Sequence, residues 1–98
     1  MERDPDAARP DGTPTVTLRY WAAIRAVAGC TEDQFGATNL AALLAAARER
    51  HADQRRFAPL LAMCSLLVGD RPLGTRDPSE VALEDGAVVE ALPPFAGG

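Results

Sequence analysis

The last two residues, Gly97 and Gly98, are the part of this sequence best suited to chemistry. They present no side chains, so a narrow channel in a partner can admit them, and no Cβ shields the Gly98 carboxyl carbon from a nucleophile. Pro93 and Pro94 precede them and favour a stiff, extended exit from the body of the protein. A frayed terminus would explain two glycines in isolation, but this combination predicts a projecting carboxylate that can be activated.

The other residues whose side chains could take part in catalysis or metal binding form no recognisable motif. Cys30 and Cys64 lack a CxxC spacing, and with His51 as the single histidine they do not supply a standard four-ligand zinc set. We therefore expect no metal site and two reduced thiols in a cytoplasmic protein, although a disulfide stays possible. We interpret His51 as an ordinary cation near the end of a helix and Cys64 as a core thiol.

Length and charge exclude several classes of protein. The chain of 98 residues is long enough for one domain, and its composition, 47% hydrophobic and 24% charged, is that of a globular protein. The net charge of −4 and the absence of basic runs argue against binding to nucleic acid or to an anionic membrane. All ten basic residues are arginine, so no lysine is present to act in a P-loop or a Schiff base.

Hydrophobic patterning divides the chain into three parts. Residues 1–14 are rich in proline and charge, which predicts a disordered N-terminal extension. Residues 15–92 form the domain, and residues 93–98 form the extended tail. Within the domain, strict alternation over residues 15–21 predicts a strand that buries Val16, Leu18 and Tyr20.

A helix is predicted from about residue 39 to residue 52, with Thr38 as its cap and leucines at helical spacing. A shorter helix over residues 22–28 should end at Gly29, and another turn of helix is expected around Pro59. Further strands are predicted over residues 31–35, 63–68 and 87–92, with a short edge strand near Leu73. One long helix with these strands predicts an α+β fold, a mixed sheet with the helix packed on one face.

Three segments carry a family resemblance. The ending LPPFAGG (residues 92–98), the segment YWAAIRAVAG (residues 20–29) and the turn LEDGAV (residues 83–88) resemble the MoaD/ThiS family of ubiquitin-like β-grasp sulfur carriers. The Pro-Pro-x-Ala-Gly-Gly form of the ending is most similar to the branch that supplies the small subunit of molybdopterin synthase. The resemblance implies a β-grasp sheet of four to five strands, in which the first and last strands are parallel neighbours.

The resemblance also implies a carrier and not a self-sufficient enzyme. An E1-like adenylating enzyme would use ATP to activate the Gly98 carboxylate, and a persulfide donor such as a cysteine desulfurase or a rhodanese would convert it to a thiocarboxylate. The large subunit of the synthase would receive the tail, and the sulfur would pass to cyclic pyranopterin monophosphate. The carrier itself would bind no cofactor.

Alternation on the two parallel strands suggests where a partner would bind. Arg19 and Trp21 should face away from the core, as should Glu90 and Leu92, so that Trp21 and Leu92 meet where the tail leaves the sheet. A Trp packed on the following helix is the competing interpretation. The residues predicted to bind partners are Trp21, Leu92, Pro93, Pro94, Phe95, Ala96 and Gly97.

Other functions remain open at this stage. A carrier for a thiamine or cysteine pathway would use the same tail, and so would a ubiquitin-like modifier that ends in an isopeptide bond to a target lysine. A β-grasp interaction domain with an idle tail is a third class. A thiocarboxylate on the purified protein would favour the carrier, covalent ladders would favour the modifier, and tolerance of tail deletion would favour the interaction domain.

Overall fold

The computed structural model describes residues 12–94; residues 1–11 and 95–98 lie outside the described part. The elements, in chain order, are β1 (Thr15–Tyr20), α1 (Ala22–Ala28), β2 (Glu32–Gly36), α2 (Leu40–Arg50), α3 (Phe57–Met63), β3 (Ser65–Val68), β4 (Arg71–Pro72), a 3-10 turn (Pro78–Glu80) and β5 (Val88–Leu92). No helix among residues 12–94 is long and apolar enough to cross a membrane.

Five strands form one mixed sheet in the order β2-β1-β5-β3-β4. The first and last strands, β1 and β5, are parallel neighbours near its centre, and every other pairing is antiparallel. The three helices contribute to one hydrophobic cluster with the inner face of the sheet. The prediction of a ubiquitin-like β-grasp fold is therefore confirmed, with two shorter helices beside the main one.

The core follows from the alternation in the strands and the helical spacing in α2. Val16 and Leu18 of β1 are fully buried, and Tyr20 is almost so. Leu43 of α2 and Val89 of β5 have no exposed surface either, and both belong to the same hydrophobic cluster. The apolar face that the residue spacing in α2 predicted is therefore buried in the core that β1 and β5 share.

Helix boundaries differ from the predicted ones by one or two residues. Asn39 caps α2 through its side-chain oxygen, which accepts a hydrogen bond of 2.8 Å from the Ala42 N–H. Thr38, the predicted cap, is therefore one position too early. Helix α1 ends as predicted at Gly29, whose φ of 79° is left-handed and costs glycine nothing.

The region after α2 shows the largest departure from the predicted elements. Met63 is the last residue of α3 and not the first of a strand, since α3 continues past Pro59 to that position. Gly69 and Asp70 form a two-residue hairpin turn, with Gly69 at a φ of 65°. The edge strand β4 therefore falls on Arg71–Pro72, just ahead of Leu73.

Candidate functional site

The parallel pairing of β1 and β5 brings the predicted partner residues to one end of the sheet. Tyr20 is in register with Ala91, and the Trp21 N–H donates a hydrogen bond of 3.2 Å to the Ala91 carbonyl. Trp21 and Leu92 therefore lie at the same end, as predicted. Their role in binding a partner stays a prediction.

The chain leaves the sheet at this end. Leu92 is the last residue of β5 and pairs with Ser65 of β3. Pro93 is partly buried and Pro94 is exposed, and both lie beyond the strand ladder. The predicted tail residues Phe95, Ala96, Gly97 and Gly98 lie outside the described residues. We call Trp21, Leu92, Pro93 and Pro94 the tail-end surface.

Trp21 is an exposed aromatic residue at a sharp turn. Its backbone stays extended, at φ −124° and ψ 151°, which continues the alternation of β1 and directs its side chain away from the core. The next residue, Ala22, adopts a left-handed φ of 52°, an uncommon and strained value for a non-glycine residue. The turn leaves Trp21 40% exposed, which is high for a large apolar residue.

Opposite charges surround Arg19 on the outer face of the sheet. Its guanidinium lies 3.2 Å from the Glu32 carboxylate and 3.5 Å from the Glu90 carboxylate. Alternation predicted that Arg19 and Glu90 both lie on this face, and their side chains form an ion pair there. These pairs are partly exposed, so each contributes no more than about 1 kcal/mol to stability, but together they fix the charges beside Trp21.

A second group of polar residues lies on the inner side of the same end. Asp33 of β2 accepts a hydrogen bond of 2.8 Å from the Tyr20 hydroxyl, and its Oδ2 lies 2.7 Å from Nε2 of His51. Arg50 approaches the other carboxylate oxygen at 3.5 Å. The His51 ring stacks against Phe57, with ring centroids 4.5 Å apart.

Burial and hydrogen bonding set the protonation of this group. Burial alone would raise the pKa of Asp33, but hydrogen bonds from His51 and Tyr20 and the charge of Arg50 outweigh it and hold that pKa below its usual range. Burial, reinforced by Asp33, raises the pKa of the Tyr20 phenol. Asp33 is therefore a carboxylate and Tyr20 a neutral donor at neutral pH.

The structure refines our interpretation of His51 and supports that of Cys64. His51 lies at the C-terminus of α2, as predicted, but it is also buried and paired with Asp33. No local pattern links these residues, since they lie on different elements. Cys30 and Cys64 are both free thiols, and burial raises the pKa of Cys64 to about 11, in keeping with an inert core thiol.

Comparison with known proteins supports the fold. No protein-family model matches the sequence, and the search of curated proteins finds no match. Among solved structures, small archaeal modifier protein 1 of Methanosarcina acetivorans superposes with a TM-score of 0.69 at 16% identity, covering 88% of this chain and 98% of that one.

Two further solved structures share the fold. A Pyrococcus furiosus protein, provisionally described as molybdopterin converting factor subunit 1, gives a TM-score of 0.68 at 22% identity, covering 85% of this chain and 100% of that one. A chain in the Helicobacter pylori complex of molybdopterin-converting factor subunits 1 and 2 gives 0.59 at 24% identity, covering 86% and 99%.

These likenesses define the fold of the chain. The chain has the ubiquitin-like β-grasp fold of the small modifier proteins. Its structural neighbours include molybdopterin converting factor subunit 1, so they agree with the resemblance to the MoaD/ThiS family that the sequence motifs showed.

Proposed function

We propose that this protein is a sulfur carrier and acts as the small subunit of molybdopterin synthase. The Gly98 carboxylate attacks ATP on an E1-like enzyme, pyrophosphate leaves and an acyl adenylate forms. A persulfide from a cysteine desulfurase or a rhodanese displaces AMP, and a thiol cleaves the resulting acyl disulfide to leave a thiocarboxylate. The carrier then donates this sulfur to cyclic pyranopterin monophosphate on the large subunit.

The position of β5 is the observation that carries the proposal. This strand lies in the middle of the sheet and is held on both sides, by β1 and by β3. Its end is therefore rigid, and Pro93 and Pro94 follow it directly. Four residues (93–96) separate the end of this strand from Gly97. This spacing suits a tail that must reach into another protein's active site.

The tail-end surface supports a large-subunit partner. Trp21 is exposed beside the exit of the chain, and exposed aromatic residues are typical anchors of protein interfaces. The Helicobacter pylori structure contains both subunits of a molybdopterin-converting factor, and one of its chains shares this fold. A MoaE-like large subunit is therefore the partner that we propose.

A second candidate is a ubiquitin-like protein modifier. The likeness to small archaeal modifier protein 1 favours it, and adenylation of Gly98 would be its first step too. The acyl group would then pass to a lysine amine of a target protein instead of to sulfur. A carrier for a thiamine or cysteine pathway would share every step up to the thiocarboxylate and differ only in the acceptor.

Intact mass spectrometry tests the carrier proposal. We expect the protein incubated with an E1-like enzyme, ATP and a persulfide donor to gain the mass of one oxygen replaced by one sulfur. Deletion of Gly98 should abolish this change, and deletion of residues 1–11 at the other terminus is the matched control that should leave it intact. Sulfur loading in the Gly98 deletion would contradict the proposal.

The molecule that accepts the sulfur or the acyl group from Gly98 distinguishes the candidate functions. Two loaded carriers per pterin, mixed with a MoaE-like large subunit and cyclic pyranopterin monophosphate, should yield molybdopterin, because its dithiolene holds two sulfur atoms. Both carriers should then return to their unloaded mass. Loading without transfer to the pterin would favour another sulfur pathway. Covalent conjugates with other proteins that disappear when Gly98 is deleted would favour the modifier.

A further inference from the structure

Three potential metal ligands converge on the inner side of the sheet, close to the tail end. Cys30 lies in the turn after α1, Asp33 lies on β2 and His51 follows the last residue of α2. One ligand atom from each, the cysteine sulfur, a carboxylate oxygen and an imidazole nitrogen, lies within 4.8 Å of the other two. Among residues 12–94, no other group of three such residues is so close.

We propose that Cys30, Asp33 and His51 form a binding site for a divalent cation, with zinc as its preferred occupant. The cysteine thiolate, the histidine nitrogen and one carboxylate oxygen would be the three protein ligands, and water would take a fourth, open position. The site is independent of the sulfur-carrier function, because none of its ligands belongs to the tail or the tail-end surface.

The ligand set matches zinc in both chemistry and charge. Zinc accepts sulfur, nitrogen and oxygen ligands, and sites with three protein ligands commonly keep water in the fourth position. Magnesium and calcium prefer oxygen ligands alone, so the thiol disfavours them. A thiolate and a carboxylate together carry two negative charges, which balance the two positive charges of the zinc ion.

The distances require only a small closure of the group. Ligand atoms at about 2.0–2.3 Å from one zinc ion in tetrahedral geometry lie within about 4 Å of one another. Their present separations, at most 4.8 Å, exceed that value by less than about 1 Å. Asp33 and His51 would have to separate slightly, since Oδ2 and Nε2 are now 2.7 Å apart, too close for two ligands of one ion.

The surroundings are those of a supported metal site. Tyr20 donates to the Asp33 carboxylate and would keep it oriented, as a partner hydrogen bond does for metal-binding carboxylates. The C-terminus of α2, an 11-residue helix, directs the negative end of its dipole toward the His51 position. Arg50 opposes a cation, but its side chain is 48% exposed, so solvent screens much of its charge.

A nucleophilic Cys-His-Asp arrangement fits this geometry less well. A nucleophilic cysteine needs a neighbouring base that takes its proton. Nε2 of His51 already forms a hydrogen bond with the Asp33 carboxylate, so it is not free to accept the proton of Cys30. Burial and the Asp33 charge raise the pKa of the Cys30 thiol, which keeps it protonated and unreactive. A bound cation would reverse this effect, because it stabilises the thiolate.

Metal binding must release or move protons. The Cys30 thiol loses its proton to solvent when its sulfur binds the ion. Nε2 of His51 donates to the Asp33 carboxylate when the metal is absent, so its proton leaves to Nδ1 or to solvent before the nitrogen can coordinate. Zinc affinity should therefore fall as the pH decreases.

Titration with zinc and cobalt ions, followed by calorimetry and absorption, tests the site on the full chain. We expect one zinc ion per chain, and a cobalt complex with a thiolate-to-metal charge-transfer band. Cys30→Ser should weaken zinc binding by at least about tenfold and remove the band. Cys64→Ser is the matched control, because Cys64 lies outside the cluster, and it should bind like the parent protein.

Thiol alkylation of the parent protein gives a second measurement that does not depend on a folded variant. Zinc should protect Cys30 from alkylation and leave the rate at Cys64 unchanged, as determined by peptide mapping. Absence of saturable zinc binding, equal binding by Cys30→Ser, or protection of Cys64 instead of Cys30 would each overturn the proposal.

Discussion

Replacement of Trp21 by alanine is the most direct test of the tail-end surface. The substitution removes the exposed aromatic group beside the exit of the chain and leaves the tail itself unchanged. If the large subunit covers this surface, Trp21→Ala should weaken the complex. If Trp21 serves only to pack against α1, the variant should lose stability without losing affinity.

The exposed area sets the expected size of the effect. A tryptophan side chain offers up to about 250 Å² of contact area, and Trp21 is 40% exposed, so about 100 Å² is free for a partner. At about 25 cal/mol per Å², its burial contributes about 2.5 kcal/mol, or about a 70-fold change in Kd. This magnitude lies in the range of interface hot spots.

Calorimetry with a MoaE-like large subunit measures the change, and circular dichroism checks that the variant is folded. Glu84→Ala is the control, because Glu84 is exposed and lies in the turn before β5, at the end of that strand opposite to Leu92. We expect its Kd to stay within about twofold of the parent value. Equal affinities for Trp21→Ala and the parent protein would refute the assignment of this surface.

Three further predictions concern the fold. Leu43→Asp places a charge at a fully buried position and should lower the free energy of unfolding by several kcal/mol, enough to abolish the cooperative thermal transition. Leu43→Met is the control and should stay within about 1.5 kcal/mol of the parent protein. A normal melting curve for Leu43→Asp would contradict the packing of α2. Tyr20→Phe removes the hydrogen bond to Asp33 and should lower the free energy of unfolding in urea by about 1–3 kcal/mol, and an unchanged value would mean that this bond contributes nothing. Glu90→Gln should cost less than about 1 kcal/mol, with a difference that shrinks at high salt, because its pair with Arg19 is partly exposed; a larger, salt-independent loss would show a different role.

Local patterns in the sequence predicted most of the sheet and its core. The alternation of Val16, Leu18 and Tyr20 identified the buried face of β1, and the leucine spacing identified α2. Gly29 marked the end of α1 because a left-handed residue there favours glycine. These signals depend on neighbours in the chain, so one sequence is enough to detect them.

The group around Asp33 could not be predicted in this way. Asp33 and His51 are 18 positions apart, and Cys30 reaches them only through the turn after α1. Asp33 occupies an inward position of β2, in register with the buried Leu18, where an apolar residue would be expected. That single break in the apolar pattern was the only sign of the group in the sequence.

The central position of β5 means that the sheet can be completed only late in synthesis, just before the tail is made. Arg19 and Glu90 are neighbours across the sheet although 71 positions separate them, so the two middle strands cannot pair until β5 has been made. A nascent chain without β5 leaves the edges of β1 and β3 unpaired, and such long-range pairing closes slowly. Because the tail follows β5 in the sequence, every chain that carries the tail also carries the strand that completes the sheet. The tail is therefore never made before the sheet can close.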